Sequence, residues 1–577
     1  MKRVYRLSGS VCLCLGLVIW GGLPSSLRAQ NIQVTSATPP AAAQGTVNLD
    51  VVIGGKGFQK GAQAVFVLSG TGDTDGVMVN STTFNGKTQL TANITIADGA
   101  TIGSFDVLVY SSGRTGKGTG LFSVTQKGTP TGCTTLGTPS GFSLNSTLNY
   151  ADANTGTAEY GPALGTAVQV RPVTLTGSMG SKTVLVAAVG SGANNGKLEI
   201  FVLDPATGQV LDGTDILGQV QPHVTVTYDP TASVGIRAMA AGDVNGDGIP
   251  DFVAGSRGND IAFVFVGSMD GNGILSYTAT TLSAPGTNPG LFGVGVAMGE
   301  LDGSNKGDEV VVGASGGGSK GKKVKSGKVY IYQQDGAGFK LDTTLDDPDN
   351  TGESFGFGVA VGDVTGDGAA DLVVGAPFAT VNGASAAGQV YVFPAPLSSP
   401  SHYFMLATGI HNDEIGVKVG TGNVDGHTDV IAAAGEDSPS EGVLVFSGPI
   451  GANQQSASLR LLADPRLTTT GWATNADSGD MLGIGQAGFV VGVPNAANST
   501  ACNASVGAAE LYLPTTTNLS PPAYTFQPPS VQSRFGWGVA IVPADATGSA
   551  PLLVVGENGA TVGSTSGAGQ VYVYKMN

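Results

Sequence analysis

The sequence predicts an all-β protein: a seven-bladed β-propeller over residues 141–577, preceded by a small immunoglobulin-like β-sandwich over residues 30–126. Three observations lead there. Glycine supplies 91 of 577 residues, about 16% against a usual ~7%, and charged residues supply 12% against a usual ~25%. Short runs of Val, Thr, Ala and aromatic residues alternate with glycine-rich turns, and no long helical periodicity is present. An acidic motif also recurs at a near-constant interval: Asp243, Glu300 and Asp363 open successive copies 57 and 63 residues apart. Such an interval marks a repeat architecture.

The first residues read as an export signal. Lys2, Arg3 and Arg6 precede the apolar run "VCLCLGLVIWGGL", which is short for a membrane span, and "LRA" offers cleavage after Ala29. Retention of this segment as an anchor is the alternative. Cleavage removes four basic residues and moves the net charge from −16 to −20. A chain so acidic is not expected to bind nucleic acid or anionic lipid through bulk electrostatics. The basic run "SKGKKVKSGK" at 319–328 reads as a solvated glycine-rich loop. The expected location is therefore secreted, periplasmic or cell-surface, with no membrane span after cleavage and a monomeric state.

Residues 30–126 alternate in the manner of sandwich strands, as in "LTANITI" and "SFDVLVYSS", and the length fits an immunoglobulin-like unit. Residues 127–140, "KGTPTGCTTLGTPS", have the composition of a linker.

Each later unit follows one plan. A first strand opens with a pair such as Phe292-Gly293, Phe355-Gly356 or Phe535-Gly536. The acidic loop comes next, then an apolar strand such as "EVVVGAS" or "DLVVGAP". A third strand such as "KVYIYQQ", "QVYVFPAP" or "QVYVYK" follows, and a fourth leads onward. Counting second and third strands gives seven units, the last of which stops after its third strand. "GFSLNSTLNYADANTG" at 141–156 mirrors "GFKLDTTLDDPDNTG" at 338–352 but has no unit of its own. It is expected to complete the last blade and close a ring.

The acidic loops have the ligand spacing of a hard-cation site. In "GDVNGDGIPD", Asp243, Asn245, Asp247 and Asp251 stand at positions 1, 3, 5 and 9, and Ile249 offers a backbone carbonyl at position 7. In "GDVTGDGAAD" the same offsets hold Asp363, Thr365, Asp367, Ala369 and Asp371. In "GELDGSNKGD" they hold Glu300, Asp302, Ser304 and Asp308. An EF-hand would need a position-12 glutamate and flanking helices, which this strand-rich context lacks. Two calcium loops are expected, 243–251 and 363–371, with a weaker one at 300–308 because Ser304 replaces a carboxylate. The corresponding segments of units 1, 5, 6 and 7 lack the ligand set and are expected to hold no ion.

The Phe-Gly openings, "GDxxGDGxxDLxVGAP" and the following strand resemble FG-GAP repeats, the blades of the integrin α-subunit propeller. The resemblance covers residues 141–577 and is carried mainly by units 2 to 4. It implies calcium in the loops between the first two strands of a blade, on one face. "GKGFQKGAQAVF" and "TIGSFDVLV" resemble the IPT/TIG family of immunoglobulin-fold domains, which implies spacing or contact and no catalysis.

No catalytic constellation stands out. His223, His402, His411 and His427 show no metal-ligand spacing, and the glycine–serine segments are turns without a strand-to-helix nucleophile elbow. After cleavage only Trp472 and Trp537 remain, few for the tryptophan-rich blades of quinone-dependent dehydrogenases. The expected function is a secreted or cell-surface binding or adhesion module that presents a calcium-stabilised propeller to an extracellular protein or glycan. The alternative is an extracellular enzyme, or enzyme accessory, acting on polysaccharide or lipid. Cys133 and Cys502 are the two cysteines left after cleavage, and a disulfide between them is expected in an oxidising compartment.

Overall fold

A computed structural model of the chain describes residues 32–577 except 44–45, 47–48, 71–73, 75, 97–99, 112–113, 126–137, 149–162, 193–195, 230, 232–233, 287–289, 305, 317–326, 349–353, 398–401, 408–412, 424–426, 435–442, 452–456, 458, 462–466, 469–474, 480–487, 495, 499–505, 514–521, 529–533, 543–550, 563 and 566. The expected signal, Cys133, Cys502, His411 and most of the basic run at 319–328 lie outside the described residues. Every helix or strand among the described residues is a strand. No helix there is long and apolar enough to cross a membrane. The chain forms two compact units, Met1–Thr129 and Pro130–Asn577.

The first unit holds two four-stranded sheets. One runs in the order Gln33–Thr38, Leu49–Lys56, Gln89–Ile96, Val77–Gly86, and the other in the order Ala41–Ala43, Arg114–Thr125, Gly103–Ser111, Gln63–Leu68. Period-two alternation turns Leu90, Ala92, Ile94 and Ile96 inward. Across from them lie Phe66, Val107, Val109 and Phe122, so both sheets close over one core.

The second unit holds seven four-stranded antiparallel sheets, numbered here in chain order. Their first strands are Leu164–Gly177, Ala238–Gly242, Phe292–Gly299, Val359–Gly362, Lys418–Asn423, Asn475–Gly479 and Phe535–Val542. Each first strand lies against the first strand of the next sheet, and the seventh lies against the first, so the contacts form a closed cycle. The fourth strand of sheet 7 is Phe142–Leu148, paired antiparallel with Gln570–Met576. The segment "GFSLNSTL" therefore makes the pairing expected of it.

Second strands are buried on both faces because each sheet is packed between two others. In Glu309–Ala314 every residue is buried. Val310 and Val312 face the core shared with sheet 2, and Val311 faces the core shared with sheet 4. This explains why "EVVVGA" reads as a continuous apolar run, whereas the outer strand Gly338–Asp346 alternates toward solvent.

The aromatic–glycine signature has a steric cause. Gly356 lies in the turn just before the first strand of sheet 4 at φ +83°, a left-handed conformation that favours glycine. Its carbonyl oxygen lies 1.9 Å from where a Cβ on Gly313 of sheet 3 would sit. The pair thus fits only as glycine against glycine. The same juxtaposition joins Gly255 to Gly293, Gly375 to Gly416, Gly492 to Gly536 and Gly556 to Gly165, each at 2.0 Å. Phe292, Phe355 and Phe535 then pack on Tyr330, Tyr391 and Tyr572 of their own third strands, with centroids 5.5–5.6 Å apart.

Sheet 1 carries a partly buried ion cluster, with Glu199 buried and His223 and Asp212 half-buried. His223 Nδ1 lies 3.1 Å from Asp212 and Nε2 lies 3.0 Å from Glu199. Burial alone would lower the imidazole pKa, but hydrogen bonds to Asp212 and Glu199 outweigh it and raise it to about 9.

Two predictions follow from this packing. Gly313→Ala is expected to destabilise the second unit by about 1–3 kcal/mol, because the clash is with backbone; unchanged melting would refute the interlock. The raised His223 pKa stabilises the fold fully below the unfolded value of ~6.5, and this is lost as pH rises through about 9. Melting temperature should fall over that window, and His223→Gln should flatten the fall.

Candidate metal centres in the loops after the first strands

The acidic loops follow from the register of the first two strands. Gly242 pairs with Asp251, Gly299 with Glu309 and Gly362 with Asp371. The residue closing each loop therefore begins a fully buried second strand.

Asp251 and Asp371 organise backbone. Asp251 Oδ2 accepts the Val244 N–H at 2.8 Å, and Oδ1 accepts the Gly267 N–H at 2.6 Å. Asp371 accepts the N–H groups of Val364 (2.9 Å), Thr365 (2.8 Å) and Ala395 (3.2 Å). Each carboxylate thus ties the loop to the end of its sheet's third strand. Burial pushes the Asp251 carboxyl up to about 7; its backbone hydrogen bonds oppose the shift, while Asp243 and Asp247 add to it. Asp371 is raised for the same leading reason.

The loop tips are exposed and wrapped around their first aspartate. Asp243 accepts the N–H groups of Asp247 (3.1 Å) and Gly248 (2.8 Å). Asn245 donates to Asp247 at 3.0 Å, and Asp247 accepts the Ile249 N–H at 2.8 Å. In the second loop Asp363 accepts from Gly366 (2.8 Å), Asp367 (3.1 Å) and Gly368 (3.0 Å), and Asp367 accepts the Ala369 N–H at 2.9 Å. Asp243, Asn245, Asp363 and Thr365 are half-buried; Asp247 and Asp367 are exposed. Ile249 is buried and Ala369 half-buried.

The third loop departs from the spacing read in the sequence. The residue equivalent to Asp251 and Asp371 is Glu309, not Asp308. Glu309 Oε2 accepts the Leu301 N–H at 2.6 Å, the counterpart of the Val244 and Val364 bonds. Carboxylate oxygens of Glu300, Asp302 and Glu309 all lie within 4.8 Å of one another, close enough to share one ion. Among the described residues this is the one such group of three. Gln333 donates to both Asp302 (2.5 Å) and Glu309 (3.3 Å), and Ser304 N–H donates to Glu300 (3.1 Å) and Asp302 (2.6 Å). Burial, followed by the hydrogen bond with Asp302 and then its charge, raises the Glu300 carboxyl; burial likewise raises Glu309.

Asp308 turns the other way, to sheet 2. Its Oδ2 accepts the Asp243 N–H at 2.8 Å, and its own N–H donates to the Asp243 carbonyl at 2.8 Å. A Cβ on Gly242 would sit 2.4 Å from that Oδ2, so glycine there admits the contact. The extra residue in "GSNKGDE" makes room for this link, and the acidic pair Asp308-Glu309 gave the spacing two readings.

Residues 355–393 match the FG-GAP repeat family. Similar solved structures include a structural-genomics protein of unknown function from Bacteroides thetaiotaomicron, 10% identical over 95% of this chain and 99% of that one, TM-score 0.29. Another is the exotype rhamnogalacturonan lyase YesX, 11% identical over 95% of this chain and 90% of that one, TM-score 0.31. Overlap at that level carries no argument about activity. The matched repeat, set in a cycle of small sheets, supports a protein of the FG-GAP, β-propeller type.

Asp371→Ala leaves three backbone N–H groups without their acceptor. It is expected to cost about 3 kcal/mol with or without added calcium. A loss of stability seen only with calcium would mean that Asp371 acts as a ligand alone.

Proposed function

We propose that the chain is a secreted or cell-surface binding protein: a calcium-stabilised, seven-bladed FG-GAP-type propeller that presents its surface to an extracellular protein or glycan. An IPT/TIG-like immunoglobulin sandwich precedes it as a spacer or contact domain. The carrying observation is the convergence of Glu300, Asp302 and Glu309 in a loop that shares its position with 243–251 and 363–371. Close carboxylates repel one another, and a hard cation with oxygen preference relieves that repulsion. An ion bound only by the folded state stabilises it by mass action, about 2.7 kcal/mol at a hundredfold excess over Kd. The metal on this reading is a structural clamp, with ligands Asp243, Asn245, Asp247 and the Ile249 carbonyl in one loop and Asp363, Thr365, Asp367 and the Ala369 carbonyl in another. Glu300, Asp302 and Glu309 form the third set.

Two further buried carboxylates are engaged by tyrosines within the sheets. Glu510 accepts the Tyr512 hydroxyl at 2.7 Å and Glu557 the Tyr572 hydroxyl at 2.6 Å, each inside a sheet.

Thermal melting in calcium and in chelator tests the clamp. Calcium should raise the melting temperature of the second unit. Asp247→Ala, Asp367→Ala and Glu309→Gln should each reduce the rise, and Asp308→Ala should leave it intact. No rise, together with no calcium by elemental analysis, would sink the clamp; a glycan and surface-protein binding screen that returns nothing would sink the binding role.

A further inference from the structure

A cationic mouth opens at the end of the second unit's axis opposite the acidic loops. The first strands line an axial cavity of about 120 Å³, which touches Val168, Met239, Val296, Val359, Lys418 and Val539. Strand register puts Lys418 where sheets 1, 2, 3, 4 and 7 present Ala167, Ala238, Gly295, Gly358 and Gly538 and sheet 6 presents Asn475. A half-buried lysine thus stands where five of its six counterparts are glycine or alanine. One residue nearer the strand starts, Arg237 of sheet 2 stands level with Trp537 of sheet 7 and Phe357 of sheet 4. The Arg534 guanidinium lies 5.3 Å from the Trp537 ring centroid, over its face. Arg257 sits in the turn after the second strand of sheet 2.

Like charges act on two of these four cations. Burial, then the like charges of Arg257 and Arg534, lowers the Arg237 pKa. Burial, then Arg257, pushes the Lys418 ammonium down to about 8. Among the described residues none of the four forms an ion pair with a carboxylate. Glu557, the nearest acid along sheet 7, is buried against Tyr572. In a chain of net charge −16, four cations around one opening, with like charges acting on Arg237 and Lys418, are a cost that an anionic ligand removes.

We propose that this mouth binds an acidic oligosaccharide, whose uronate carboxylates are held by Arg237, Arg257, Arg534 and Lys418 and whose pyranose ring lies against Trp537. The cations come from sheets 2, 5 and 7, so one carboxylate cannot meet them all; a ligand with charges repeated along its length can. Guanidinium forks suit planar carboxylates. The aromatic faces of Trp537 and Phe357 suit the apolar face of a sugar ring. Ala238–Gly242, at about 3.3 Å per residue, separates the mouth from the acidic loops by roughly 16 Å, so the metal loops and the ligand do not compete for space. The proposal rests on the binding reading above and names its ligand class.

The test titrates the full exported chain, in calcium, with a β-linked glucuronate tetramer, with neutral cellotetraose and with tetraglutamate, following tryptophan fluorescence and heat. Saturable binding of the glucuronate tetramer alone is expected, weakening as salt is raised. Lys418→Met and Arg257→Gln should each weaken it about tenfold. Lys418→Met removes an unpaired half-buried charge, so its melting temperature is expected to hold and loss of binding cannot be loss of fold. No saturable binding, equal binding of tetraglutamate, or full affinity in both variants would overturn the proposal. Screen hits on other ligands that survive both variants would overturn it while leaving the binding role standing.

Discussion

The contact on which the second unit depends is the apposition of two glycines from adjacent sheets. A carbonyl oxygen that would lie 1.9–2.0 Å from a Cβ leaves no room for any side chain at five of the seven junctions. This close approach fixes how far apart the first and second strands of neighbouring sheets stand. It therefore fixes the axial cavity on one side and the aromatic packing of Phe292, Phe355 and Phe535 on the other. Where the pair is missing, bulk takes its place: Gly190 of sheet 1 faces Ile236, whose Cγ2 lies 2.8 Å from the notional Cβ. Ile236 stands at the position that Gly293 holds in sheet 3, so that junction closes by side-chain packing instead.

Closure adds a second constraint, since the ring's last sheet is completed from its front. Phe142 packs edge-on against Phe526 of sheet 6, with centroids 4.9 Å apart. On the other side Asn145 and Ser146 donate to the Thr207 and Gly208 carbonyls of sheet 1, both at 2.6 Å. The closing strand is thus clamped to both neighbours as well as to its own sheet. Joining residues so distant in sequence carries a loop-closure entropy that grows only slowly with length, and one strand's hydrogen bonds and two packed faces offset it.

Much of this was legible in the sequence. Period-two alternation, the aromatic–glycine pairs and the displaced "GFSLNSTL" each have a local cause that residue spacing carries. The acidic loops were legible as loops, but their inner geometry was not. Counting from Glu300 selected Asp308, while strand register selected Glu309, because a loop can lengthen by one residue without disturbing the ladder that follows it. Asp251 and Asp371 read as ligands by spacing, yet their buried oxygens also serve the backbone of a third strand some 16 to 24 residues away. The axial cations were not legible at all. Arg237, Arg257, Lys418 and Arg534 are scattered over three sheets, and only closure of the ring brings them to one opening.

The two ends of the axis carry opposite charge for a structural reason. Every first strand runs the same way, so all its loops to the second strand gather at one end and all its beginnings at the other. The loops carry carboxylates because glycine-rich turns need acceptors for their free N–H groups, and aspartate supplies two oxygens from a short side chain. At the beginnings the glycines are already packed against the preceding sheet, and Asp260 accepts the Phe292 N–H at 2.9 Å. Among the described residues the four cations placed there form no ion pair, although Asp260, Asp413 and Glu414 stand at the same end, and the low-dielectric walls of the cavity leave them poorly screened. An acidic chain with four such cations at one opening concentrates electrostatic selectivity there, and on the proposed reading a ligand carrying spaced negative charge complements it.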